Sequence, residues 1–375
     1  MNVSDRKHMA AAVRLARRGT NACEPNPRVG CVIANAGGDV LGEGWHAQAG
    51  EGHAEVRAIA AAREAGLGEA LTGATAYVTL EPCAHHGRTP PCSQALLEAG
   101  IARVVVAVED PNPRVDGAGI EQLRAAGIEV SVGLMAEEAR RVARGFLSRL
   151  ERGRPFVTVK VATSLDGATA MRDGESRWIS SVPSRRDVHR RRANVGAILT
   201  GVGTVVADDP SFTVRDASPV APWHHPLRVV IDPQLRTPPR AALLNDQGRT
   251  LLIHQAGLAQ ELPAALAERE GVELVPAPTH ADGVGLNLSA VLDELGRRGI
   301  NEVMVEAGAR LNGSLLGAGL VDEVICYLAP HLMGTQTLGA WNVPGLSRMD
   351  ERIRLQWRQV DRIGEDLRVV ATPLA

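Results

Sequence analysis

His53-Ala54-Glu55 is followed, some thirty residues on, by Glu81-Pro82-Cys83 and then by Pro90-Pro91-Cys92. An imidazole and two thiols are a donor set suited to zinc, and three protein ligands leave the fourth tetrahedral position open for water. A carboxylate two residues past the histidine can carry protons for that water, whose pKa zinc draws towards neutrality. The set points to a hydrolytic metal centre with ligands His53, Cys83 and Cys92 and with Glu55 as proton carrier. His85 and His86 lie between the two cysteines and are competing ligands, substrate contacts or loop-packing residues. Asn26, His46 and Arg88 are candidates for contacting a substrate ring and its sugar phosphate, or else turn and surface residues.

Those groups meet only if the backbone places them. Inside a helix, residues two apart point to nearly opposite sides, so His53 and Glu55 must sit where loop becomes helix. Gly50-Glu51-Gly52 supplies that loop, and an alanine-rich helix runs on to about Ala65. A strand over 76–80 delivers Glu81-Pro82-Cys83, and Cys92 opens a helix over 93–99 whose positive end lowers thiol pKa values. An N-terminal helix over 4–18, strands at 29–33, 40–44, 103–108 and 128–132, and a helix near 120–126 complete an α/β layered pattern. Cys31, inside the first of those strands, reads as a packed core thiol.

Residues 137–154, charged and helical in pattern, join this half to a second, giving expected domains 1–148 and 149–375. Phe156 to Ala162 alternates as a strand, with Val157, Val159 and Val161 on one face and Lys160 on the other. An arginine-rich helix follows, carrying Arg185, Arg186, Arg190, Arg191 and Arg192, and by itself it reads as a solvated face. Two glycine turns, Gly201-Val202-Gly203-Thr204 and Gly308 to Gly313, stand between strand and helix, where backbone N–H groups bind phosphates. No internal repeat is present.

Composition excludes several classes. A net charge of -2 and 3% aromatic residues supply neither a phosphate-attracting excess nor stacking platforms, so long nucleic acid is not the expected partner. Five scattered cysteines do not make a secreted disulfide framework. No apolar run is long enough to cross a bilayer and no signal-peptide core follows the first residues, so a cytoplasmic location is expected.

His-x-Glu followed by Pro-Cys-x-x-Cys is the pattern of zinc nucleobase deaminases, but here eight residues separate the cysteines. That spacing, with Pro25-Asn26-Pro27-Arg28-Val29-Gly30-Cys31 and Gly44-Trp45-His46, resembles the bifunctional riboflavin-biosynthesis deaminase/reductases over nearly the whole chain. The C-terminal pieces that carry the resemblance are Lys160 to Gly167, Gly174 to Ser180, Leu199 to Pro210 with Phe212 and Arg215, and Val305 to Ser314.

The resemblance implies a cytidine-deaminase-like α/β/α domain and a dihydrofolate-reductase-like α/β domain. It also implies Zn²⁺-dependent deamination of a diaminopyrimidinone ribosylamino phosphate, then NADPH-dependent reduction of the ribosyl group to ribityl. By residue match, Ser176, Arg192, Phe212, Arg215 and Glu306 face the reductase substrate and Lys160 reaches towards the reacting sugar. Ala162, Trp178, Thr204, Asp208, Gly308, Ala309, Arg310, Leu311, Asn312, Gly313 and Ser314 line the NADPH site. Where the family often carries a small polar cofactor contact after Ile231-Asp232, this chain has Pro233, which lacks a backbone donor. A homo-oligomer is expected on the same ground. Two rival readings are a nucleic-acid deaminase with an accessory domain, and a structural or regulatory protein whose zinc is closed by a fourth ligand such as His85 or His86.

Overall fold

The structure, a computed structural model, describes all residues other than Met1, 85–90, Arg114, 216–221, Asp246, 259–262, 281, 282, 284 and Ala375. The chain forms two compact units: Met1–Gly153 with Pro219–His224, and Arg154–Ser218 with His225–Ala375. The first unit holds helices α1 (Val3–Ala16), α2 (Ala54–Glu64), α3 (Cys92–Glu98), α4 (Ala118–Ala125), α5 (Ala136–Val142) and α6 (Arg144–Arg152). Its strands are β1 (Gly30–Ala34), β2 (Val40–Trp45), β3 (Thr75–Val78), β4 (Arg103–Val106) and β5 (Glu129–Val132), in the order β2-β1-β3-β4-β5. Strand β1 runs antiparallel to β2 and β3, whereas β3, β4 and β5 are parallel.

Helix α1 begins in a capping box: the Asn2 side chain accepts from the Asp5 N–H, and the Asp5 carboxylate accepts from the Asn2 N–H. Its apolar face, Met9, Ala12, Val13 and Ala16, enters the core with Cys31 of β1. Asp5 does more than cap. Its carboxylate also accepts from Tyr77 Oη (3.0 Å) and from both terminal nitrogens of Arg103, tying α1 to β3 and β4. The Arg103 guanidinium holds the Asp5 carboxyl well below the usual carboxylate range. Replacing Asp5 with Ala removes its half of the capping box and these charged hydrogen bonds together, and thermal unfolding should show a loss of roughly 2 kcal/mol. Because the folded-state pKa is depressed, that contribution is full above the unfolded value of about 3.9 and fades as pH falls below it.

Helix α2 lies close on β2. A Cβ at Gly44 would stand 2.3 Å from the Ala54 carbonyl oxygen, so only glycine lets the first turn of α2 approach the strand this closely. Helices α5 and α6 bury Ala139, Val142, Phe146 and Leu147 in the same core. The segment expected to join the two halves is therefore folded into the first, and the chain passes to the second unit at Gly153/Arg154. Of the later-sequence piece Pro219–His224, His224 exchanges two hydrogen bonds with the Asn21 side chain, 2.8 and 3.0 Å.

The second unit contains strands β6 (Phe156–Ser164), β7 (Ala168–Met171), β8 (Ala197–Gly201), β9 (Leu227–Ile231), β10 (Thr250–Gln255), β11 (Val272–Ala277), β12 (Glu302–Val305), β13 (Glu323–Ala329), β14 (Thr337–Gly339), β15 (Leu355–Ile363) and β16 (Asp366–Pro373). Its helices are α7 (Val182–Arg192), α8 (Val202–Asp208), α9 (Ala242–Asn245), α10 (Ala264–Ala267), α11 (Leu288–Arg297) and α12 (Ala309–Gly317). The large sheet runs β11-β10-β9-β8-β12-β6-β13-β16-β15, parallel from β11 to β13 and closed by the antiparallel pair β16 and β15.

Strand β6 is central, and Val157, Val159 and Val161 face one core as the alternation predicts. Ala162 packs on the opposite face with Val188, Phe212 and Tyr327. Helix α7 is locked to that face. The Asp366 carboxylate accepts from Ser181 N, Ser181 Oγ and Ser184 Oγ at the helix start. Asp187 accepts from Tyr327 Oη (2.6 Å) and Arg368 (2.8 Å) at its middle. Among the described residues, no helix is long and apolar enough to cross a membrane.

Candidate metal centre and reductase site

His53 is the N-cap of α2, in extended backbone (φ −70°, ψ 173°), and makes no side-chain cap bond. Its ring is thus directed elsewhere, while Glu55 sits in the first helical turn. This is the loop-to-helix junction that the two-residue spacing requires. Cys83 follows the end of β3, and Cys92 is the first residue of α3. One donor atom from each of His53, Cys83 and Cys92 lies within 4.8 Å of the other two. His53 Nδ1 stands 3.2 Å from Cys92 Sγ and 3.6 Å from Cys83 Sγ. The imidazole–sulfur edges of a zinc tetrahedron are about 3.5 Å, and both imidazole–sulfur separations are close to that.

The two thiols divide the charge between them. The Cys83 thiol is pushed down by its hydrogen bonds with Cys92 and His53 and by the Cys92 N–H, against the cost of burial. The Cys92 thiol is pushed well up by its hydrogen bond to Cys83 and by burial, so the lowering expected at the start of α3 holds for Cys83 and not for Cys92. Glu55 is 3% exposed, and burial pushes its carboxyl up to about 7, partly offset by His53. His46 packs edge-on against His53, 5.0 Å between ring centroids, and burial pushes its pKa down to about 4, so the ring is neutral. Its Nδ1 faces the Gly52 carbonyl at 3.5 Å and its Nε2 faces Asn26 Nδ2 at 3.2 Å. The arrangement fits a proton on Nδ1 and an acceptor at Nε2. Asn26 and His46 therefore stand beside the trio, whereas Arg88, His85 and His86 lie outside the described residues. Cys31 is fully buried with its thiol pushed well up, as a core residue should be.

In the second unit, Arg192 at the end of α7 makes a bidentate ion pair with Glu306, 2.7 and 3.0 Å, and Lys160 Nζ lies 3.7 Å from the same carboxylate. Burial pushes the Glu306 carboxyl up, but the Arg192 and Lys160 charges and the Arg192 hydrogen bonds outweigh it and hold the group at about 2. Burial lowers Lys160, which Glu306 opposes. Phe212 lies under the Arg192 guanidinium at 5.5 Å, in the left-handed region (φ 51°) that a bulky residue seldom adopts. His189 Nδ1, which sequence reasoning did not single out, stands 3.1 Å from the Thr213 carbonyl oxygen and 3.2 Å from the Arg215 nitrogen, so that either tautomer bonds the segment carrying Arg215 at one of the two. Ser176 is half-buried. The arginine helix is thus solvated only in part, since Arg191 and Arg192 turn inward to carboxylates.

Strands β8 and β12 are parallel neighbours, so helices α8 and α12 start side by side. A Cβ at Gly308 would reach within 3.9 Å of Thr204 Oγ1, and one at Gly201 within 3.6 Å of Leu311. At the end of β8, just before the Gly201 turn, buried Thr200 Oγ1 finds no partner among the described residues. The glycine turn at the start of α12 is an open cradle that suits a phosphate-bearing cofactor. Around it, Asp208 accepts from Arg177 through its carbonyl, and Trp178 is 68% exposed with the Arg185 guanidinium 4.4 Å over its ring. Ala309, Arg310 and Ser314 lie towards the accessible side of α12, but Asn312 and Gly313 do not. Asn312 is buried and bonds the Ala307 and Ala340 carbonyls, and Gly313 presses on the Asn342 backbone. The Pro233 carbonyl accepts from the Gln255 N–H at the end of β10.

The sequence pattern of the RibD C-terminal domain matches residues 155–369, and that of the cytidine and deoxycytidylate deaminase zinc-binding region matches residues 2–108. The riboflavin biosynthesis protein RibD of Escherichia coli is 44% identical over 97% of this chain and 98% of its own. The chain belongs to the RibD family. RibD of Aquifex aeolicus is 39% identical over 97% of both chains. Among solved structures, RibD from Acinetobacter baumannii superposes with a TM-score of 0.89 at 39% identity, covering 99% of each chain. A deaminase/reductase from Thermotoga maritima gives 0.86 at 31% identity, again over 99% of each.

The chain is accordingly a bifunctional riboflavin-biosynthesis enzyme, a deaminase using Zn²⁺ and a reductase using NADPH. Its two halves are cytidine-deaminase-like and dihydrofolate-reductase-like α/β folds. The RibD match across the second half takes the place of the rival in which that half is an accessory to nucleic-acid editing.

Proposed function

We propose that the first unit, which runs to Gly153, carries out the deamination through His53, Cys83, Cys92 and Glu55, and that the second, from Arg154, carries out the reduction around Lys160, Glu306 and Arg192. The observation that carries the first assignment is the convergence of three zinc donors beside a buried carboxylate. Zinc, when bound, supplies the Lewis acidity that makes water a nucleophile near neutral pH. Glu55 takes a proton from the water that adds to the ring carbon and returns it to the exocyclic nitrogen, which leaves as ammonia. Glu55 is buried in the first turn of α2 beside the three donors, which places its carboxylate to take up and release that proton. Neutral His46, packed on His53 and joined to Asn26, holds the wall of the site beside the metal trio, where Asn26 would meet the ring.

In the second unit NADPH supplies the hydride, and the chain positions the sugar. Glu306, just past the C-terminal end of β12, holds Lys160 from the middle of β6 and Arg192 from the end of α7, with Lys160 directed to the reacting sugar and Arg192, Ser176, Phe212 and Arg215 on the substrate. The Gly308 turn and the first turn of α12 take a cofactor phosphate, with Thr204, Asp208 and Trp178 around it. The substrate is a free phosphorylated pyrimidine in the cytoplasm, acted on by a homo-oligomer.

Treating the full chain with a zinc chelator should abolish ammonia release from the diaminopyrimidine phosphate. NADPH oxidation with the deaminated product should be unchanged. Equal loss of both activities would contradict the assignment of the metal to the first half. NADPH oxidation by the chelated chain should also require the deaminated pyrimidine, and equal turnover of the amino compound would contradict the order of steps.

A further inference from the structure

We propose that Glu81 is a positioning residue for the metal centre, fixing the Pro82–Cys83 backbone and so setting how tightly the trio retains its ion. The proposal rests on the zinc reading of His53, Cys83 and Cys92. Glu81 is 4% exposed, and its carboxylate collects four backbone N–H groups from one stretch of chain. Oε2 accepts from Asp110 (3.1 Å) and Gly117 (3.2 Å), and Oε1 accepts from Gly119 (2.9 Å) and Ile120 (3.2 Å). The last two donors belong to the first turn of α4, where the helix presents its positive end.

A carboxylate at a helix start is ordinary, and capping alone would explain two of those bonds. The packing next to it is what reaches the metal. A Cβ at Gly119 would fall 1.9 Å from the Pro82 carbonyl oxygen, so the stretch that Glu81 gathers presses on the one residue between Glu81 and Cys83. The Glu81 N–H itself is bound to the Val108 carbonyl (2.9 Å), which fixes the incoming strand. On the outgoing side, the Cys83 carbonyl accepts from the Ser93 N–H at 3.2 Å. Cys83 is thus held from both directions, and Glu81 supplies the hold on the incoming side.

Replacing Glu81 with Gln keeps the size but turns an NH₂ group towards two N–H donors, so the Asp110–Ile120 stretch must move off Pro82. In the full chain, zinc competition against a chelator should show affinity lowered 10- to 100-fold, the usual effect of losing an outer partner of a metal ligand. A purely structural role is separated by thermal unfolding with and without zinc. If Glu81 positions Cys83, the rise in midpoint that zinc confers shrinks in Glu81→Gln, because ligand stabilisation follows affinity. NADPH oxidation with the deaminated substrate stays at the wild-type level. Unchanged zinc affinity, or an equal fall in midpoint with and without the ion, overturns the proposal. Failure of the unmodified chain to bind one zinc overturns the metal reading beneath it, and that result is read on a different protein.

Discussion

Glu55→Gln in the full chain lowers ammonia release by about 10³-fold, within the range that a positioned general acid–base contributes. The amide keeps the volume and the place of the carboxylate in the first turn of α2 but can no longer take up a proton. Zinc content and NADPH oxidation on the deaminated pyrimidine remain at wild-type levels, since Glu55 is not one of the three converging donors and the reductase groups belong to the other unit. Parallel assays of ammonia, bound zinc and NADPH on one preparation check this. Loss of zinc or of folding in this variant, with no deamination detectable in the parent, would instead favour a structural metal.

Glu306→Gln has the largest effect expected in the second unit. It leaves Lys160 and Arg192 as half-buried cations without their shared carboxylate, and breaking such a set costs about 3–5 kcal/mol. Displacement of Lys160 from the sugar should lower NADPH oxidation about 100-fold, while ammonia release is unaffected. Acid titration of stability adds a second readout. The Glu306 carboxyl is held down at about 2 in the folded chain, against about 4.3 unfolded. Its contribution is therefore full above pH ~5 and is lost as pH falls through the interval between those values. The stability difference between the wild-type chain and Glu306→Gln should be flat at neutral pH and should narrow over that acid interval. A difference that grows on acidification would contradict the ion-pair account.

The metal trio was legible because its chemistry is written in residue types: imidazole and thiol at strand and helix ends have few other uses, and the two-residue gap from His53 to Glu55 dictated a helix start. Lys160 was legible because alternation along β6 separates it from three valines. Glu81 was not, because its partners are backbone N–H groups 29 to 39 residues away, which carry no side-chain identity. The Asp187, Tyr327 and Arg368 lock on α7 spans 140 and 181 residues of sequence, beyond any local pattern. Strand β15 is largely exposed along its length, so no burial alternation marks it. The NADPH site rested on resemblance, because a cofactor that supplies its own chemistry asks of the protein mainly backbone and shape. There the structure refines the expectation, turning Asn312 and Gly313 into the fold and leaving the start of α12 open.

X-ray absorption at the zinc edge of the purified, reduced chain tests the central claim most directly. One zinc per chain with two sulfurs at about 2.3 Å, one imidazole nitrogen and one further light-atom ligand that exchanges with solvent is the predicted result. A zinc bound by a second imidazole in place of that exchangeable ligand, or a chain that binds no zinc with its thiols reduced, would contradict it.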